Sequence, residues 1–161
     1  MMAQGMAVEP ARPPRPCCGW PTRVVRVLLR SPLGGPMRRQ LMVLRFTGRK
    51  TGRRYDVPVT AHRLGDELYS LTAARWRNNF RGGAEVDVTL GGHITRMRGQ
   101  LLEDPEAVAP IYARSIDQLG VKRAQRMIGI KIGTPGTPAT HALAEAARRY
   151  HMCAVRLTAK S

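Results

Sequence analysis

Aromatic side chains are scarce in this sequence, 5% of 161 residues, and acidic ones are heavily outnumbered, Asp+Glu 11 against Lys+Arg 27. Trp20, Trp76 and a few tyrosines do not make the array of exposed rings with which single-stranded nucleic-acid binders stack bases. Cysteine is rarer still. Cys17, Cys18 and Cys153 give neither paired zinc spacing nor an even disulfide framework, and adjacent cysteines are badly placed to ligate one metal, so a reduced, cytoplasmic setting is expected. Cys153 reads as a small apolar residue of the last strand. His62, His93, His141 and His151 show no i, i+4 pairing, which argues against a metal site. No apolar run reaches the roughly 18 residues of a membrane span, and the first residues lack the apolar core of a secretory signal. Walker and dinucleotide-binding glycine motifs are missing as well. Ser70, His93 and Asp87 could be assembled into a catalytic triad only by assertion, because nothing in the pattern brings them together.

What the chain has in excess is arginine. Lys50, Lys122, Lys131 and Lys160 are the only lysines, and the formal net charge is +16. Such a balance suits a polyanionic partner: nucleic acid, anionic lipid, or a small molecule with several negative charges. Charge alone does not choose among these.

Residues 1–20 carry four prolines and no apolar period, and read as a mobile tail ahead of a single domain over 21–161. Val24, Val25, Val27, Leu28 and Leu29 interleave with Arg23, Arg26 and Arg30, predicting a short basic amphipathic helix over 22–30. It either packs on the core or docks on a membrane surface, which would make a cytoplasmic protein membrane-associated. Strands are expected at 40–46, 55–60, 67–72, 85–90, 93–102 and 151–158 by period-two alternation. Gly91-Gly92 is a two-residue hairpin turn. Asp104-Pro105-Glu106 starts a helix that runs to about Leu119. Residues 73–81 break the strand period and suggest a short helix or functional loop, 121–132 is ambiguous, and 139–150 is an alanine-rich helix. Six mainly antiparallel strands with peripheral helices predict an α+β fold whose sheet closes toward a barrel.

The densest chemical signal is Phe46-Thr47-Gly48-Arg49-Lys50-Thr51-Gly52-Arg53-Arg54, a glycine-punctuated turn between two strands. Glycine allows a sharp turn that exposes amide N–H groups, and clustered cations beside it suit phosphate or carboxylate. A solvated basic turn with no ligand fits the spacing equally well. Trp76 with Asn78 and Asn79 suits a flat heteroaromatic ring, by stacking and edge hydrogen bonds, or else a core anchor at a helix end.

In order along the chain, Met42-Val43-Leu44-Arg45-Phe46-Thr47-Gly48-Arg49-Lys50-Thr51-Gly52-Arg53 resembles the signature LLxTTGRKSGxxRxxPL of deazaflavin-dependent nitroreductases of actinobacteria. Val57-Pro58-Val59 stands at its proline step. Gly65-Asp66-Glu67-Leu68-Tyr69, Arg75-Trp76-Arg77-Asn78-Asn79-Phe80, Glu85-Val86-Asp87-Val88 and Leu102-Glu103-Asp104-Pro105-Glu106 resemble that family's later motifs, so the likeness covers about residues 24–158. Two departures stand near the ring side: the glycine-rich segment before the tryptophan is shortened to Leu71-Thr72-Ala73-Ala74, and the tyrosine after it is Arg77.

The resemblance implies a split β-barrel of the FMN-binding type and an oxidoreductase that transfers a hydride from reduced coenzyme F-420, a 5-deazaflavin, to a quinone, enone or nitro acceptor. FMN or FAD are the alternative cofactors, with haem or biliverdin further behind. It implies that Arg49, Lys50, Thr51, Gly52, Arg53 and Arg54 take the anionic tail. Val57, Pro58 and Val59 would offer backbone groups to the ring edge, and Trp76 and Asn79 would border it. Tyr69 or Tyr112 could donate a proton; the catalytic residues stay unassigned. The partners implied are a small-molecule acceptor and, as open options, a second copy of the chain and a membrane surface, with nucleic acid disfavoured. A cofactor- or tetrapyrrole-binding protein of the same fold without turnover is the first rival, and a basic nucleic-acid-binding domain the second.

Overall fold

The computed structural model of the protein describes residues 8–10, 40–128 and 130–159. The expected basic helix 22–30, and Cys17, Cys18 and Trp20, lie outside the described residues, as does all of the expected tail except 8–10. The elements in order are β1 (Val8–Pro10), β2 (Leu41–Thr47), β3 (Arg54–Thr60), β4 (His62–Leu64), β5 (Glu67–Thr72), a 3-10 helix (Arg75–Phe80), β6 (Ala84–Leu90) and β7 (His93–Leu102). Then follow α1 (Pro105–Leu119), α2 (Val121–Ile128), β8 (Ile130–Ile132), α3 (Thr140–Tyr150) and β9 (Cys153–Ala159). The described residues divide into two compact units, one made of 8–10, 71–74, 102–128 and 130–154, the other of 40–70, 75–101 and 155–159.

The second unit is built on a seven-stranded sheet in the order β3-β2-β6-β7-β9-β5-β4. The pairs β2–β3, β2–β6, β6–β7 and β4–β5 are antiparallel. The sheet is curled into a half-barrel, so the fold is α+β of the split-barrel kind. All six expected strands are present, and the seventh is β4, three residues too short to show a period in the sequence. Alternation decides which face is buried. Met42, Leu44 and Phe46 of β2 and Val86 and Val88 of β6 are nearly inaccessible, and each such Leu or Val contributes about 1.5–3 kcal/mol by leaving water. The intervening residues form a row of alternating charge across four strands: Asp56 opposite Arg45, Arg45 opposite Asp87, Asp87 opposite Arg96. Opposite charges at directly facing positions favour this register over a slipped one. Gly91 and Gly92, at φ 60 and 84, make the two-residue turn from β6 to β7 that needs positive φ at both positions.

In the first unit, α1 begins as its sequence announces, with the Asp104 carboxylate accepting the Glu106 N–H at 3.2 Å and Pro105 in the first position. Val108, Tyr112 and Ile116 recur every fourth residue and bury one face of α1, while Leu143, Ala144 and Ala147 bury one face of α3. The two helices pack together. Helix α3 ends on His151 in the left-handed conformation, φ 54. That cap explains why β9 starts at Cys153 and not at His151, as alternation suggested. The ambiguous stretch 121–132 contains α2 and β8, and the Gln125 carboxamide oxygen accepts the Ile132 N–H at 3.0 Å. Val8–Pro10, inside the stretch read as a tail, pairs antiparallel with β8.

Candidate functional site

The turn between β2 and β3 closes on itself. Gly48 donates its N–H to the Arg53 carbonyl at 2.7 Å, and Gly52 donates to the Gly48 carbonyl at 3.0 Å. The Arg53 N–H reaches the Thr51 hydroxyl at 3.3 Å, and the Arg49 N–H reaches the Asn79 side-chain oxygen at 3.0 Å. Four of the loop amides are thus engaged within the protein, so its capacity for anions rests chiefly on side chains.

Asn79 links the turn to the 3-10 helix. Its oxygen accepts from Arg49, and its nitrogen donates to the Trp76 carbonyl at 2.8 Å. The Arg49 guanidinium adds a second link, donating to the Arg81 carbonyl at 2.6 Å just past the helix end. Thirty residues apart in sequence, the two segments are held as the walls of one cavity of about 710 Å³, a size suited to a cofactor or a drug-sized ligand. One wall is Gly48, Arg49, Lys50, Thr51 and Tyr55; the other is Arg75, Asn78, Asn79 and Arg81. Among the described residues four cations border this space and no carboxylate does.

Of the residues expected at the site, Arg49, Lys50, Thr51 and Asn79 line the cavity together; Gly52, Arg53, Arg54, Val57, Pro58, Val59 and Trp76 are not among its lining residues. Trp76 belongs to an aromatic cluster centred on Phe46, 6.1 Å from that ring and edge-on to Phe80 at 5.9 Å. Phe46 also stacks with Tyr55 at 5.8 Å and meets Phe80 edge-on at 4.9 Å. Both phenylalanines of this aromatic-poor chain are therefore committed behind the cavity wall. Val57, Pro58 and Val59 lie on β3, the edge strand of the sheet, where a residue without an N–H is tolerated. Tyr69 is buried and donates its hydroxyl to Glu67. Tyr112, in the first unit, donates to the Cys153 carbonyl at 3.0 Å. Neither expected proton donor lines the cavity.

Three lining residues escaped sequence reasoning: Tyr55, Arg75 and Arg81. For Tyr55 there was a signal. In the signature LLxTTGRKSGxxRxxPL, which the turn resembles, the arginine after the second glycine falls at Tyr55, where this chain has a ring. For Arg75 and Arg81 no local signal exists, since their value comes from facing a turn distant in sequence.

Nearby charges are settled by ion pairing. The hydrogen bond from Arg45 to Asp56, Nε to Oδ1 at 2.8 Å, holds the Arg45 guanidinium above its ordinary pKa. The hydrogen bond from Arg96, Nε to Oδ1 at 2.9 Å, holds the Asp87 carboxyl below its ordinary range. His62 is the buried exception: loss of solvent pushes it down to about 4, and its Nε2 has no hydrogen-bond partner. Among the described residues no group of histidine, cysteine and carboxylate side chains could hold a metal ion. Nor is any helix among them long and apolar enough to cross a membrane.

No protein-family model matches the chain, and no curated protein matches it significantly. Among solved structures it is similar to the conserved hypothetical protein Rv2991 from Mycobacterium tuberculosis, at 11% identity and TM-score 0.45, over 86% of this chain and 79% of that one. It is also similar to an F-420 reductase, at 16% identity and TM-score 0.43, over 76% of this chain and 88% of the other. Neither likeness extends to residues or activity.

Proposed function

We propose that the protein is a deazaflavin-dependent oxidoreductase whose cofactor lies in the cavity between the β2–β3 turn and the 3-10 helix. The observation that carries the reading is the convergence of Arg49, Lys50, Arg75 and Arg81 on one space that, among the described residues, no carboxylate lines. It coincides with the turn whose sequence resembles the nitroreductase signature. Cations facing a common void suit a ligand with several negative charges, such as the phosphate and oligoglutamate tail of coenzyme F-420. The residues present fit that group: the cavity is large enough, its cations match the tail, and Tyr55 presents a ring beside them. When bound, the reduced deazaflavin supplies a hydride for a quinone, enone or nitro acceptor. The chain's own part is to hold the tail through the four cations and to keep the turn in place through Asn79.

Carriage of the cofactor without turnover is the second reading. It is favoured by a lining that, among the described residues, holds neither histidine nor carboxylate and has hydroxyls only from Thr51 and Tyr55. The test is titration of the full chain with oxidised coenzyme F-420, FMN and haem, followed by mixing with reduced cofactor and menadione or a nitroimidazole. Binding with acceptor-dependent oxidation supports the enzyme, and binding without it supports the carrier. Silence with all three compounds, with salt-sensitive affinity for duplex DNA, overturns both.

A further inference from the structure

Tyr55 is held in an unusual way for a surface tyrosine. One edge of its ring abuts Gly48, so close that a Cβ there would sit 2.6 Å from Tyr55 Cε2 and 3.4 Å from Cδ2. One ring face is stacked against Phe46 at 5.8 Å and 26°. The hydroxyl is 3.2 Å from the Thr51 hydroxyl. Glycine at one edge, phenylalanine against the ring and threonine at the tip leave the side chain little rotational freedom. Yet it remains 39% exposed, one of only two exposed large hydrophobic residues among those described. With Phe46 stacked against it, Tyr55 is thus still accessible, and it lines the cavity.

A rigid ring that is still accessible has little entropy to lose when another ring stacks on it. The cations Arg49, Lys50, Arg75 and Arg81 border the same cavity. We propose that Tyr55 is the specificity-determining platform of this site: a planar aromatic group stacks on its accessible ring while the cations take the anion attached to that group. The inference rests on the cavity being the ligand site, as under the proposed function. It assigns to Tyr55 the stacking role that the sequence suggested for Trp76, whose ring is engaged with Phe46 and Phe80. The ligand class is a ring joined to phosphate or carboxylate. A ring alone or an anion alone satisfies only half of the site.

The test uses the full chain and its Tyr55→Ala, Tyr55→Leu and Tyr55→Phe variants, titrated with coenzyme F-420, FMN, ADP, riboflavin and inorganic pyrophosphate. At least one ring compound bearing phosphate should bind the parent more tightly than pyrophosphate does. Tyr55→Ala and Tyr55→Leu should weaken that compound roughly 5- to 100-fold, the range of one stacking contact, and leave pyrophosphate within about twofold, while Tyr55→Phe stays near the parent. If the ring compound held is ADP and neither FMN nor coenzyme F-420 binds, the deazaflavin reading fails and the platform stands. Three results overturn the platform. One is unchanged affinity for the ring compound in Tyr55→Leu. Another is equal loss of pyrophosphate in both ring-less variants, which would give Tyr55 a role only in holding the turn. The third is a parent protein that prefers pyrophosphate to every ring compound offered.

Discussion

Arg45 and Asp56 occupy directly facing positions of β2 and β3, with Nε 2.8 Å from Oδ1. On its other side Arg45 faces Asp87 of β6, which Arg96 of β7 holds at 2.9 Å. The pair is thus one link in a row of alternating charge that ties the hairpin bearing the candidate site to the middle of the sheet.

That arrangement makes a charge swap informative. An isolated ion pair should be restored by Arg45→Asp combined with Asp56→Arg. Here the swap places a carboxylate opposite Asp87, so the double variant should remain less stable than the parent by roughly 1 kcal/mol, the scale of a partly exposed pair. Urea unfolding of the parent, the singles and the double measures it. Full recovery in the double variant would show that Asp87 does not take part.

Lys50 and Arg49 both border the cavity, but only Arg49 is shown tied to the opposite wall, through the Arg81 carbonyl and Asn79. Lys50→Ala should cost about 1.5–3 kcal/mol of anion affinity, one charge-assisted contact, with little change in unfolding midpoint. Arg49→Ala should cost as much affinity and also loosen the 3-10 helix, seen as faster amide exchange over residues 75–81. Equal affinities for parent and both variants would move the anion site elsewhere.

Gly48→Ala tests the seat of Tyr55. The added methyl would meet the tyrosine ring at 2.6 Å, so either the ring or the turn must shift. A loss of about 1–3 kcal/mol in stability is expected, as for other overpacked contacts. Weaker binding of any ring compound should accompany it. A fully stable variant with parental affinities would mean that the turn yields freely.

His62 sets a pH dependence. Its folded pKa, lowered by burial to about 4, lies below the unfolded value near 6.5. Between these two the unfolded chain takes up a proton that the folded chain refuses. Stability therefore falls as pH drops from about 6.5 to about 4, by about 3 kcal/mol over the whole interval. His62→Leu should flatten that part of the profile, which denaturant melts at pH 5 and pH 8 would register. A variant that loses stability in parallel with the parent would place the acid sensitivity in other groups.

The sequence by itself determined the local elements and their order. Alternation marked six strands, Gly91-Gly92 marked a turn, and Asp104-Pro105 marked a helix start, because each of these depends on a few adjacent residues and on backbone preferences that hold in any context. It also marked Arg49 and Lys50, since their neighbours make a turn wherever it is placed. Only the tertiary structure decided which side chains share the cavity. Arg75 and Arg81 became part of it because Asn79 and Arg49 draw the 3-10 helix against the turn. Tyr55, and not Trp76, lines the cavity, the tryptophan being packed against Phe46 and Phe80. Those outcomes follow from strand register and from packing between segments some thirty residues apart, and such contacts leave no periodic trace along the chain.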